Sequence, residues 1–126
     1  EELELECEFS ARPRRSFDLL LNATSVGMFP HTGISPVPEE VVSRCKAVFD
    51  AVYNPAQTEL LRLAESHGIP TVGGMEMLVY QAVAAHEIWY GTDFRRDDLE
   101  KLCQDAQQEL FRLFPQTGAR ERMETQ

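Results

Sequence analysis

Asn22, Thr24 and Ser25 stand in the run FDLLLNATSVGM, residues 17–28, directly after an apolar stretch of Phe17, Leu19, Leu20 and Leu21. Their chemistry is hydrogen bonding to a polar ligand. It gains meaning from position: in parallel sheets ligands bind just beyond the carboxyl ends of the strands. The bland alternative is a strand followed by an ordinary turn. Asp50 interrupts a second apolar run, KAVFDAVY, and an acid inside a strand is costly unless paired or hydrogen-bonded. It either caps a nearby loop or shapes a site at the same edge. Gly73 and Gly74 lie at a strand-to-helix junction, where glycine lets a backbone approach a ligand closely. They do not make a GxGxxG fingerprint. Taken alone, Gln81 is a good helix former on a solvated face. His31 reads as a solvated loop residue and His86 as a packed or surface histidine. Cys7, Cys45 and Cys103 form no CxxC pair and have no His at metal spacing, so free thiols in a reducing cytoplasm are expected.

The elements that must position these residues follow from periodicity. Residues 1–9, EELELECEF, alternate strictly and predict a half-buried strand, with Glu2, Glu4, Glu6 and Glu8 on the wet face. SARPRRS, residues 10–16, reads as a basic connector. A strand over Phe17–Leu21, apolar on both faces, suits the centre of a parallel sheet covered by helices. The loop 29–38 holds three prolines. A short helix over 39–45 follows Pro38, a good N1 residue. A second strand is expected over 46–53. The amphipathic helix 56–67 begins at Gln57 or Thr58 and ends at Gly68. IPTV, residues 69–72, predicts a third strand.

A long helix from Met75 to Tyr90 follows, with Leu78, Val79, Ala82, Ala85, His86 and Trp89 as its packed face and Gly91 as its stop. The last helix, 97–114, has Asp97 and Asp98 at its positive end. Its expected buried stripe is Leu99, Leu102, Cys103, Ala106, Leu110, Leu113 and Phe114. Strand and helix alternate, which implies right-handed crossovers, a parallel sheet and an α/β fold. One domain is expected over residues 1–114, with a flexible tail over 115–126.

The bulk numbers agree. The 126 residues suffice for one domain with a real core, and 43% are hydrophobic. A net charge of −9 argues against nucleic acid or an anionic membrane surface, because phosphate neutralisation needs clustered Lys and Arg. No stretch approaches a membrane span, and the acidic N-terminus is not a signal peptide. Metal chemistry is not expected.

Three segments together resemble shikimate dehydrogenases. Asn22-Ala23-Thr24-Ser25-Val26-Gly27-Met28 resembles the NATSxGM signature. Asp50-Ala51-Val52-Tyr53-Asn54-Pro55, with Thr58 following, matches a second motif, and Gly74 to Ala82 resembles the GxxMLxxQA segment. The resemblance implies NADP-dependent interconversion of 3-dehydroshikimate and shikimate in the cytoplasm. It implies a partial Rossmann-like parallel sheet flanked by helices, with C-terminal helices. By resemblance Asn22, Thr24 and Ser25 line the cleft beside the nicotinamide, and Ala51 offers backbone contact to NADP. Gly74 places its carbonyl at the nicotinamide amide, with Met77 packed there. Tyr53 faces the substrate carboxylate and Gln81 hydrogen-bonds a substrate hydroxyl.

The departures are as informative. The glycine-rich phosphate loop, the substrate domain and its catalytic Lys–Asp pair are missing; Lys46 and Lys101, the two lysines, sit outside the motifs. No catalytic residue is therefore assigned. The chain alone is expected to be inactive, its partner being a missing N-terminal half or a second copy. The other readings are a non-catalytic remnant acting as a binding or assembly module, and a relative that uses quinate and NAD.

Overall fold

The computed structural model describes residues 15–115. The strand expected over 1–9, the basic residues Arg12 and Arg14, Cys7 and residues 116–126 lie outside the described residues.

Seven elements follow one another: β1 (Phe17–Asn22), α1 (Glu39–Val42), β2 (Cys45–Asp50), α2 (Glu59–Ser66), β3 (Thr71–Val72), α3 (Gly74–Tyr90) and α4 (Arg96–Leu113). The strands make a parallel sheet in the order β1-β2-β3. Leu20 pairs with Val48 and Asn22 with Asp50; Phe49 pairs with Val72. Parallel neighbours need crossovers, and α1 and α2 supply them.

Local chemistry sets the boundaries. Pro38 is the N-cap of α1 rather than its first helical residue. Its own ψ is 153°, and its carbonyl accepts from Val41 and Val42 at 2.9 and 3.3 Å. The strand expected to reach Tyr53 stops at Asp50. The Asp50 carboxylate takes the Val52 N–H at 3.0 Å, a side-chain turn that diverts the backbone from the ladder. Thr58 caps α2, its hydroxyl accepting from Leu61 N at 3.3 Å. Gly68 follows with φ +68°, the left-handed conformation that ends a helix at least cost in glycine.

The core lies between one face of the sheet and α1–α2. Val42, Cys45, Val48, Leu60, Leu61, Leu63 and Ala64 are buried there, with Leu20 and Ile69 packed against them. The opposite face is open among the described residues. Leu19, Leu21, Ala47, Phe49, Pro70 and Val72 line a groove there, and Leu19 and Leu21 are 56% and 55% exposed. Replacing Leu19 and Leu21 together by Gln should leave the urea midpoint unchanged to within about 0.5 kcal/mol, as surface substitutions do. It should also lower any self-association seen by light scattering, because the apolar patch is reduced.

The two long helices pack chiefly on each other. The face expected to be packed in α3 is not the buried one. Leu78, Ala82, His86 and Trp89 are exposed and Val79 and Ala85 half-buried, whereas Gly74, Met75 and Val83 are buried. α3 is apolar almost all round, so three- and four-residue spacing singles out no stripe; contact with α4 and the sheet edge does. In α4 only Cys103 is buried. Leu99, Ala106 and Leu110 are half-buried, and Leu102, Leu113 and Phe114 are exposed. A helix covered mainly by one neighbour buries only the narrow seam that meets it.

No helix among the described residues is long and apolar enough to cross a membrane.

Candidate functional site

The three strands present their carboxyl ends at one edge, and the loops that leave this edge carry the residues singled out above. Asn22 ends β1 and Asp50 ends β2, side by side in register. Both are buried, Asn22 3% and Asp50 0% exposed. Two buried polar groups must satisfy each other or find partners. Asn22 Nδ2 donates to Asp50 Oδ1 at 3.0 Å and to the Val26 carbonyl at 3.3 Å. Asn22 Oδ1 accepts from the Thr24 backbone N–H at 3.1 Å and from the Thr24 hydroxyl at 2.7 Å. The NATSV loop is thereby folded over its own asparagine, with Thr24 and Ser25 exposed.

Asp50 joins this loop to the next. Its second oxygen, Oδ2, accepts from the Thr58 hydroxyl at 2.6 Å. Thr58 is itself buried at the start of α2. Asp50 had two readings on sequence, loop cap or site residue, and Thr58 read as a helix start. The structure makes them one unit. The legible signal was an acid and an asparagine ending neighbouring strands, with a threonine eight positions after the acid.

A third segment closes on the same edge. Val52 N–H donates to Asp50 and the Val52 carbonyl accepts from Gly74 N at 3.2 Å. Ala51 N–H is engaged by the Asn22 carbonyl at 2.9 Å. The N-terminus of α3 rests on this backbone: a Cβ at Gly74 would lie 2.2 Å from the Ala51 carbonyl oxygen. Gly74 is glycine because helix and strand end touch there.

The residues expected to form the site fall into two groups. Asn22, Thr24, Ala51 and Gly74 are joined through the bonds just described, and Ser25 and Tyr53 flank them in the same loops, Tyr53 being 44% exposed. Met77 and Gln81 follow Gly74 on α3 at spacings of three and four, which places them along one side of that helix. Both are exposed, Met77 at 44%. No hydrogen bond ties them to the loops among the described residues.

Neither lysine belongs to the three segments that meet at this edge. Lys46 pairs with Asp18 at 2.5 Å near the opposite end of the sheet, and Lys101 is exposed on α4. That exposed ion pair raises the Lys46 pKa and lowers that of Asp18 through their shared hydrogen bond. Cys45 and Cys103 are free and buried. Burial pushes both thiols up, and Glu76 and Glu100 push Cys103 further, so neither is an activated nucleophile. His31 is an exposed loop residue. His86 is exposed, paired with the Thr92 hydroxyl at 2.8 Å and packed on Tyr90 and Phe94. Among the described residues no three His, Cys, Asp or Glu side chains converge to hold a metal. The edge can position a polar ligand through hydroxyls, backbone and a phenol.

No family model matches the chain. Individual proteins do. It is 40% identical over 101 residues to the shikimate dehydrogenase (NADP(+)) of Caldanaerobacter subterraneus subsp. tengcongensis, covering 77% of this chain and 36% of that one. Its fold resembles a chorismate mutase/shikimate 5-dehydrogenase fusion protein from Clostridium acetobutylicum, with a TM-score of 0.67 and 34% identity over 74% of this chain and 34% of that one. It also resembles the shikimate 5-dehydrogenase of Thermus thermophilus solved with NADP(H) and shikimate, with a TM-score of 0.61 and 33% identity over 71% of this chain and 34% of that one. The chain thus spans about a third of the length of these relatives. On sequence and on fold together, it belongs to the shikimate dehydrogenase family.

Proposed function

We propose that this chain forms one wall of the cleft of an NADP-dependent shikimate dehydrogenase and does not turn over by itself. One observation carries the reading: the three motif segments meet at one sheet edge, tied through Asn22, Asp50 and Val52. The residues present fit the nicotinamide end of the cofactor. Exposed Ser25 offers a hydroxyl, exposed Thr24 a side chain whose hydroxyl is already held by Asn22, exposed Met77 a soft apolar surface, and the start of α3 follows in the same edge.

NADPH, when bound, supplies the hydride that reduces the ketone of 3-dehydroshikimate. What this chain does is hold and orient. Thr24 and Ser25 wall the nicotinamide. The Ala51 carbonyl is the backbone group left for a cofactor contact, its N–H being engaged. Gly74 directs the start of α3 against the ring, and Met77 packs there. Tyr53 faces the substrate carboxylate, and Gln81 accepts or donates a hydrogen bond to a substrate hydroxyl. The proton that the new alkoxide takes up must come from an acid on the opposite wall. Neither Lys46 nor Lys101 lies in the three motif segments, so these segments do not supply the Lys of such a pair.

Supplying the other wall tests this. The remaining two thirds of the Caldanaerobacter enzyme would be expressed as a separate polypeptide and mixed with the chain, with NADPH formation from shikimate followed by absorbance. Turnover is expected only from the mixture. Turnover by the chain alone would overturn the inactivity. An inert mixture whose two parts demonstrably associate would sink the dehydrogenase reading and leave the alternative of a binding or assembly module.

A further inference from the structure

We propose that Asp50 is the positioning residue of this cleft: its buried carboxylate fixes the NATSV loop, the AVYNP loop and the start of α3 in one register.

Asp50 is fully buried, yet among the described residues its hydrogen-bond partners include no cation; they are one amide, one hydroxyl and one backbone N–H. Each donor belongs to a different segment. Asn22 Nδ2 carries the NATSV loop, because the same side chain holds the Thr24 N–H and hydroxyl and the Val26 carbonyl. The Val52 N–H carries the AVYNP loop and, through the Val52 carbonyl, Gly74. The Thr58 hydroxyl carries the start of α2, where it also accepts from Leu61 N. A carboxylate is suited to this position because it accepts only. Both oxygens are used, and removing one partner strands the others in a buried setting. Asp50 touches no ligand in this role. It acts through Asn22 and Val52 on the residues that would.

The role rests on the cleft reading only for what the loops bind, so the test has two independent readouts. The first is amide hydrogen exchange on the 126-residue chain, for wild type, Asp50→Ala, Asp50→Asn and a buried control, Leu63→Ala. Asp50→Ala should speed exchange at Thr24, Val52 and Gly74 by about tenfold or more beyond the uniform increase that lower global stability brings. Asp50→Asn keeps an acceptor for Asn22 and Val52 and should restore protection at Thr24 and Val52. The control should speed exchange uniformly. A uniform increase in Asp50→Ala, matching the control, would overturn the proposal. So would an Asp50→Asn variant no better than Asp50→Ala.

The second readout is the reconstituted mixture. There Asp50→Ala should raise KM for NADP+, which the NATSV loop and Gly74 face, by about tenfold, with a smaller rise for shikimate and a smaller fall in kcat, because loop placement rather than proton transfer is lost. An unchanged KM for NADP+ in an active mixture would count against the proposal. Failure of a wild-type mixture whose two parts associate to turn over would instead count against the dehydrogenase reading, with the exchange pattern still deciding the role of Asp50.

Discussion

Gly74→Ala is expected to disrupt the junction of sheet and helix, lowering stability by about 3 kcal/mol or more. The added Cβ would lie 2.2 Å from the Ala51 carbonyl oxygen and 2.6 Å from the carbonyl carbons of Ala51 and Val52. These are backbone atoms, so no side-chain rotation relieves the collision. Either α3 withdraws from the strand end or the turn after β2 is rebuilt, and both break the bond from Gly74 N to Val52 O. Helix propensity alone points the other way, since alanine is favoured over glycine inside a helix by about 1 kcal/mol. The sign of the result therefore separates the two effects. Gly73→Ala is the control. Its Cβ would meet the Glu76 carboxylate at 3.4 Å and Leu61 Cδ1 at 3.6 Å, which is ordinary contact or the far end of a flexible side chain. It should cost no more than about 1 kcal/mol for an unfavourable N-cap residue. Urea unfolding of both variants checks the pair. A Gly74→Ala protein as stable as wild type would show that α3 does not rest on β2 as described.

Leu60→Ala is expected to cost about 3 kcal/mol, within the usual range of about 2–5 kcal/mol for a fully buried leucine. Leu60 is 0% exposed and sits among Val42, Val48 and Ala64, themselves buried. The loss should be large relative to the whole. Domains of this size hold about 5–15 kcal/mol, and one with an open sheet face belongs near the bottom of that range. The variant should show a strongly lowered urea midpoint and a measurable unfolded fraction in buffer. Leu102→Ala is the comparison: the same chemistry at 39% exposure on α4, expected to cost less than about 1 kcal/mol. Equal losses at the two positions would contradict the placement of the core between sheet and α2.

Much of the fold was legible because local signals agreed. The apolar run before Asn22, the Thr58 start and Gly68 stop of α2, and the glycine at position 91 each mark a boundary by local chemistry alone. Gly91, expected to stop α3, does so with φ +63° in the left-handed conformation. The strand–helix alternation then left a parallel sheet as the consistent arrangement. What misled was periodicity in α3 and α4. A pattern records which side chains are apolar, and when nearly all are, it cannot record which of them meets a neighbour.

The site divides the same way. Residue type and position singled out Asn22, Thr24, Ser25 and Gly74, while Ala51, Tyr53, Met77 and the role of Gln81 came from the resemblance alone. Asp50 was visible as an acid interrupting an apolar run and as the first residue of the second motif, but its partner was not, since a hydrogen bond between residues 28 positions apart leaves no trace in spacing.

By itself, then, the sequence determined the succession of elements, the parallel sense of the sheet and the family, because caps, breakers and motifs are local. Only the tertiary structure decided that a buried carboxylate ties two loops and, through Val52, the start of α3 into one edge, and that Gly74 must be glycine. It also decided which faces of the sheet and helices are covered. Each depends on pairs of residues distant in the chain whose contact is set by packing.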